Sequence, residues 1–255
     1  MARQTALGRT ATPSKSDAAQ RAQQDLPFTT VDLVIFTVLD DELQVLLVQR
    51  PQTLEEPYPS WWALPGGYVD VTRDADLLSC AQRKLKDKTG VSTPYLEQLG
   101  SWGSKSRDPR AWSATHVYFA LIPSASVVLA KGANSADVKW FKVDTVSLQP
   151  KLAFDHAGIL VAAVERLRGK VEYTSLPAFL LPEPFTLPQL QRMYELVLGR
   201  VVDKSGFRTR TLAANFLVEV GVVAGTSKRP AMGYRLSDRR RVEVFPRTFS
   251  PRATD

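Results

Sequence analysis

Two apolar stretches separated by three acids set the first limit on how this chain folds. Residues 33–39 read LVIFTVL and residues 43–48 read LQVLLV, with Asp40, Asp41 and Glu42 between them. β-Branched and aliphatic side chains in such runs favour strands, and the acids favour a turn, so a hairpin is expected. A strand without polar alternation is buried on both faces, which requires layers above and below its sheet. Two amphipathic segments supply them. In residues 75–88, Leu77, Leu78, Ala81 and Leu85 form one helical stripe, and Gly90 is placed as a left-handed cap. In residues 154–168, Ile159, Leu160, Ala163, Val164 and Leu167 form another, with Gly169 expected to end the helix. Residues 51–60 hold three prolines and read as a loop. WWALPGGY (61–68) reads as a short strand entering a double-glycine turn, and further strands are expected at 95–102, 115–122 and 138–143. Strands and two helices over about 140 residues describe an α/β (α+β) sandwich.

A different pattern follows. Residues 171–185, with Pro177, Pro182 and Pro184, read as a linker. Thr186 and Gln189 form a capping box with Pro188 in the first turn, and the helix they open carries Leu190, Met193, Tyr194, Val197 and Leu198. A polar break at 203–206 leads to a helix expected at 207–217, then a strand at 218–224, a tight tip at 225–230 and a return strand through Tyr234 and Leu236. Helix, turn, helix and hairpin is the order of a winged helix-turn-helix. The expected division is a flexible tail (1–26), a sandwich domain (27–170), a linker (171–185), a winged-helix domain (186–248) and a second tail (249–255).

The charge is unevenly placed. Of the formal net +7, residues 186–255 hold 13 Lys/Arg against 6 Asp/Glu, whereas residues 26–185 hold 16 against 18. A cationic terminal module points to a polyanion, nucleic acid before a membrane surface. No run approaches the roughly 20 apolar residues of a membrane span, and the amino terminus lacks the apolar core of a secretory signal. Cys80 is the single cysteine, which suits a reducing cytoplasm and, with two histidines, excludes an ordinary structural zinc site. A cytoplasmic protein without membrane association is expected.

Residues 66–91, GGYVDVTRDADLLSCAQRKLKDKTGV, resemble the signature of the Nudix hydrolases, with Gly67, Arg83, Leu85, Gly90 and Val91 in matching places. With its flanking strands the resemblance covers about residues 28–168 and implies a Nudix-type sandwich. In active members three glutamates on this helix hold the metal ions that activate water. Alignment on Arg83 and Gly90 puts Lys84, Asp87 and Lys88 there, while an earlier acidic position falls near Ala75, between Asp74 and Asp76. Two ammonium groups and one carboxylate within a turn repel Mg²⁺. No catalytic residue, metal site or catalytic cofactor is expected.

The same cations suit an anion. Lys84 and Lys88 share a helix face, where they either meet phosphate or face solvent. Arg83 is expected to pair with Asp87 and support the loop, and Arg73 is a further phosphate candidate. SKSRDPRAW (104–112) resembles the nucleoside-contacting loop of ADP-ribose-processing Nudix proteins, so Arg107 and Arg110 either meet diphosphate or ribose or are solvated. Arg50, ending its strand, is a candidate of the same kind. Tyr58, Trp61, Trp62 and Trp112 either stack on a base or belong to the core, and Trp62 is the aromatic taken as a ligand contact. His116 and His156 are read as structural.

In the basic module, Lys204, Arg208, Thr209 and Arg210 lie near the start of the second helix, the part that reaches base edges in the major groove. Lys228 and Arg229 at the wing tip suit phosphate or the minor groove, and Arg239, Arg240 and Arg241 read as a solvated charge run. A Nudix-like domain joined to a winged helix resembles the Nudix-related transcriptional regulators of bacterial NAD metabolism, through KSGFRTRTL (204–212) and RPAMGYRL (229–236). That resemblance implies a homodimeric repressor on double-stranded palindromic operators of NAD biosynthesis or salvage genes, with ADP-ribose, NAD or ATP as the effector nucleotide. The alternatives are an active Nudix hydrolase of ADP-ribose or a related dinucleotide, and a non-catalytic sensor acting through a protein partner.

Overall fold

The computed structural model describes residues 26–53, 55–92, 95–129, 135–146, 150–223 and 230–246. The expected hairpin forms from β1 (Phe28–Leu39) and β2 (Glu42–Gln49). Its turn residues Asp40 and Asp41 have φ of 53° and 58°, the left-handed pair that matches a two-residue turn to strand twist. Seven strands make one sheet: β3 (Trp62–Ala63), β2, β1, β6 (Ser113–Leu121) and β5 (Tyr95–Ser104) in that order, with β4 (Gly66–Tyr68) also on β1 and β7 (Asp137–Lys142) also on β2.

β1 is buried on both faces, and its alternate residues enter two separate cores. Val31, Leu33 and Ile35 pack with Cys80, Ala81 and Leu85 of helix α1 (Leu77–Thr89). Val34 and Phe36 pack with Ile159, Leu160, Ala163 and Leu167 of helix α3 (His156–Val171), which follows the short α2 (Val143–Val146). α1 begins with a capping box of Asp76 and Ser79 and ends on Gly90 at φ 72°, whose N–H bonds to the Lys86 carbonyl. α3 runs through Gly169 instead of ending there. Val171 lies one turn beyond Leu167 and both are fully buried, so packing outweighs the roughly 1 kcal/mol that a helical glycine costs.

The expected linker is core. Leu176–Leu180 forms a 3-10 helix whose residues are all buried, and Phe179 stacks on Tyr95 of β5 at 5.3 Å. Backbone bonds tie the segment to residues 243–245 beyond the wing: Ser175 N–H donates to the Glu243 carbonyl and Phe245 N–H to that of Tyr173. One apolar cluster runs without interruption from Phe36 and Phe119 through α3 and this segment to Leu190, Tyr194, Phe207 and Phe245. Three leucines, a phenylalanine and an alanine among the prolines carried that information.

The winged helix comprises β8 (Phe185–Thr186), α4 (Leu187–Leu198), α5 (Lys204–Ala213), β9 (Leu217–Val223) and β10 (Ala231–Leu236), its sheet ordered β8-β10-β9. The Thr186–Gln189 capping box and Pro188 open α4 as expected. α5 differs from the expected 207–217. Asp203 caps it by accepting the Gly206 N–H at 2.6 Å, so the supposed polar break is its first turn. It stops at Ala213 because Asn215 is left-handed at φ 54°, after which Phe216 enters the core and Leu217 starts a strand. Both expected tails, apart from residue 26, and the wing tip with Lys228 and Arg229, lie outside the described residues. Among those described, no helix is long and apolar enough to cross a membrane.

Candidate nucleotide and DNA sites

The floor of the first site is the double glycine. β4 pairs with β1 so that Gly66 lies opposite Asp32 and Gly67 opposite Val31. A Cβ on Gly66 would fall 1.8 Å from the Asp32 carboxylate, and Gly67 holds φ 137°, so neither position admits a side chain. The space over Gly67 is taken by Lys84, whose Nζ lies 3.3 Å from where a Cβ would stand. Lys84 and Lys88 are both half-buried on α1, whereas Lys86 between them is exposed. Burial lowers the pKa of both ammonium groups; Asp32 and Asp74 partly oppose this at Lys84, and the charge of Lys84 adds to it at Lys88. Lys88 also donates to Ser135 at 3.1 Å. Two partly desolvated cations a helical turn apart, one of them over a backbone without side chains, suit an anionic group.

The neighbouring acids are committed elsewhere. Arg83 donates two 2.6 Å bonds to Asp74, not chiefly to Asp87, which lies 3.8 Å away. The Arg83 fork holds the Asp74 carboxyl far below its usual range against burial, and Asp74 also receives the Asp70 N–H. Asp76 is consumed by the helix cap, and Asp70 by Thr72 in a tight turn. Cys80 beside them is buried, which pushes its thiol up to about 11. Among the described residues no three of His, Cys, Asp and Glu gather closely enough to hold a metal ion.

Behind the glycines lies a buried polar network. Asp32 accepts from Thr115 Oγ1 at 2.7 Å and faces Arg107 and His156 Nε2 at 3.6 Å each. Burial alone would raise the Asp32 carboxyl, but His156, Thr115 and Arg107 together lower it. His156 Nδ1 accepts the Leu64 N–H at 2.9 Å, which leaves Nε2 as the protonated nitrogen turned to Asp32. Arg107, expected at a ligand, is buried and forks onto Asp155 at 3.0 and 3.1 Å. Arg50 and Arg110 meet on Glu56, at 2.7 and 3.2 Å; Arg110 also forks onto Asp108, and Arg50 lies 4.9 Å over the Phe154 ring. These arginines brace the loops 51–60 and 104–112. Arg73 is exposed on the loop before α1. Trp62 does not fit a base-stacking role: it packs edge-on against Phe141 at 4.7 Å, on the α3 side of the sheet. Trp61 packs on Tyr58 in the opposite core, and Trp112 is exposed.

In the second site α5 buries Phe207 and Thr211 and turns Lys204, Ser205, Arg208, Thr209 and Leu212 outward. The helical phase that the sequence left open is thereby settled. Arg208 faces out, while Arg210 is half-buried, its charge felt by the phenol of buried Tyr194. Arg239, Arg240 and Arg241 are paired, with Glu183, Asp238 and Glu243 respectively.

Comparison with known proteins places both halves. The NUDIX domain model matches residues 29–162, and the model of the NrtR DNA-binding winged helix domain matches residues 177–236. The ADPR responsive transcriptional repressor NtrR of Acinetobacter baylyi is 42% identical over 218 residues, 86% of this chain and 85% of that protein. The chain belongs to the NrtR family. Shewanella oneidensis NrtR, in a crystal structure with a 27mer DNA, is similar at TM-score 0.77 and 41% identity, covering 86% of this chain and 98% of that one. The Nudix domain of the same Shewanella protein, crystallised with ADP ribose, covers 61% of this chain and 99% of its own at 39% identity and TM-score 0.51.

Within this NrtR-family chain, Lys84, Lys88 and Arg83 come together on α1, with Arg107 reaching the same place through Asp32. Sequence reasoning missed Asp32, Thr115 and Asp155 and read His156 only as structural. A lone aspartate inside the otherwise apolar stretch VDLVIF (31–36) was the available signal, since a buried carboxylate needs partners.

Proposed function

We propose that the chain is a homodimeric transcriptional repressor that does not depend on hydrolysis, and whose Nudix domain senses ADP-ribose or a related adenine nucleotide, NAD or ATP. The observation that carries this reading is Lys84, half-buried over Gly67, with Lys88 half-buried one helical turn on, both at places where the resembled hydrolases set glutamates. They hold the diphosphate, with Arg73 at the loop edge. The outward face of α5, Lys204, Arg208 and Thr209, meets operator DNA upstream of genes for NAD biosynthesis or salvage, and the wing residues Lys228 and Arg229 add backbone contacts. Kinship with the Acinetobacter repressor and with the Shewanella protein that binds DNA and ADP ribose supports the assignment.

A ligand shifts DNA affinity only by its unequal affinity for the two protein states, and a tenfold change corresponds to about 1.4 kcal/mol of coupling. The test is a titration of upstream NAD-gene DNA at moderate salt, with and without each nucleotide. Affinity well above that for random DNA, changed at least tenfold by one of the three, is expected. Equal affinity for both DNAs overturns the reading. A working hydrolase finds less support, because Asp70, Asp74 and Asp76 are each held by a turn, an arginine or a helix cap.

A further inference from the structure

Helix α3 touches the nucleotide site at one end and the winged helix at the other. Its start is anchored three ways. Asp155 receives the Arg107 fork, His156 accepts the Leu64 N–H, and Phe154 sits in the left-handed region at φ 57°. Tyr58 and Ser60, also left-handed, lie in the facing loop, with the Tyr58 ring 4.9 Å from that of Phe154. Non-glycine residues in this region persist only where their surroundings hold them, and they gather where conformation is part of function. At the far end, Arg168 donates to the Val197 carbonyl at 3.1 Å in the last turn of α4. Glu172 pairs with Arg200 at 2.8 Å, and Tyr194 donates to the Thr174 carbonyl at 2.7 Å. Between the ends, Ile159, Ala163, Leu167 and Val171 are fully buried, so the helix moves as a body or not at all.

We propose that α3 carries the state of the nucleotide site to the DNA-binding domain, and that Asp155 is the positioning residue through which it is read. This rests on the functional reading above. Arg107 lies between two carboxylates, bonded to Asp155 and 3.6 Å from Asp32, and Asp32 adjoins Gly66 beneath Lys84. An anionic ligand seated on Lys84 draws Arg107 from Asp155 and releases the start of α3. The shift arrives at Val197, Arg200 and Tyr194, from which α4 supports α5 through Phe207, 5.3 Å from the Tyr194 ring. No covalent chemistry is involved.

The test uses the full chain and its Asp155→Asn and Arg107→Lys variants, each keeping volume near that of the parent. Calorimetry gives ADP-ribose affinity, and DNA titration gives operator affinity with and without saturating ADP-ribose. Amide exchange of the nucleotide-free chain reports the helix directly. Without nucleotide, both variants are expected to bind operator with an affinity already shifted from the parent's toward that of the ADP-ribose-saturated parent, because the Arg107–Asp155 fork is weakened in each. The effect of ADP-ribose on operator affinity then shrinks at least fivefold, and exchange quickens along 156–171 and on into 187–198. An undiminished nucleotide effect, or faster exchange confined to 104–113 and 155–160, overturns the proposal. If the parent itself shows no nucleotide effect, the sensor reading fails instead, and the reach of the exchange change still decides the role of α3.

Discussion

Replacing Phe179 by alanine tests whether residues 171–185 are core or tether. Phe179 is 3% exposed and lies between Tyr95 of β5 and the cluster that continues into α4. Truncating a buried phenylalanine loses its transfer energy and leaves a cavity, together about 3–5 kcal/mol. For a chain of this size each kcal/mol moves the melting midpoint by roughly 2–4 °C, so Phe179→Ala lowers Tm by roughly 6–20 °C. Because one apolar cluster spans both halves, the loss appears in a single cooperative transition. Urea unfolding followed by far-UV circular dichroism and calorimetry measures it. Val201→Ala, at a side chain 83% exposed, serves as the reference and changes stability by less than about 0.5 kcal/mol. If Phe179→Ala matched that reference, or unfolded the two domains in separate steps, the shared core would be refuted.

Other expectations follow from the same geometry. Lys84→Ala weakens ADP-ribose binding by tenfold or more in calorimetry while leaving Tm within about 2 °C, since the ammonium is already partly desolvated; unchanged affinity would remove Lys84 from the site. Arg208→Ala lowers operator affinity and reduces the salt slope by about one, whereas Arg210→Ala chiefly lowers Tm; the reverse pattern would invert the helix face assigned to DNA. Asp74 is held below the carboxyl value of 3.8 chiefly by Arg83, and Asp32 by His156, Thr115 and Arg107 against its burial. Depressed carboxyls give stability that is present above the unfolded value and lost as pH falls through the folded one. Urea midpoints therefore fall from about pH 5 to about pH 3, and less so in Asp74→Asn; an equal fall in both would contradict the pairing.

Much of the fold was legible because its burial is periodic. The unbroken run in β1 required two layers, and the stripes of α1 and α3 named them. What escaped was decided by long-range contacts. Pro177, Pro182 and Pro184 spoke locally for a linker, but Phe179 found Tyr95 some 80 positions earlier, and packing outweighed local signals. Gly169 spoke for a helix end, and burial of Val171 prevented it. At the site, Lys84 and Lys88 were visible as cations out of place in a recognisable motif. The partners of the arginines were not: Arg83 chose Asp74, Arg107 chose Asp155, and Arg50 and Arg110 share Glu56, all between residues that no helical or strand spacing relates.

The most direct measurement incubates the purified chain with Mg²⁺ and ADP-ribose, separates the nucleotides by chromatography, and determines binding in parallel by calorimetry. Saturable binding of one ADP-ribose per chain, with the nucleotide recovered intact, is the expected result. Release of AMP at about one turnover per second or faster, within the ordinary range of enzymes, would contradict a helix in which Lys84 and Lys88 hold phosphate without cleaving it.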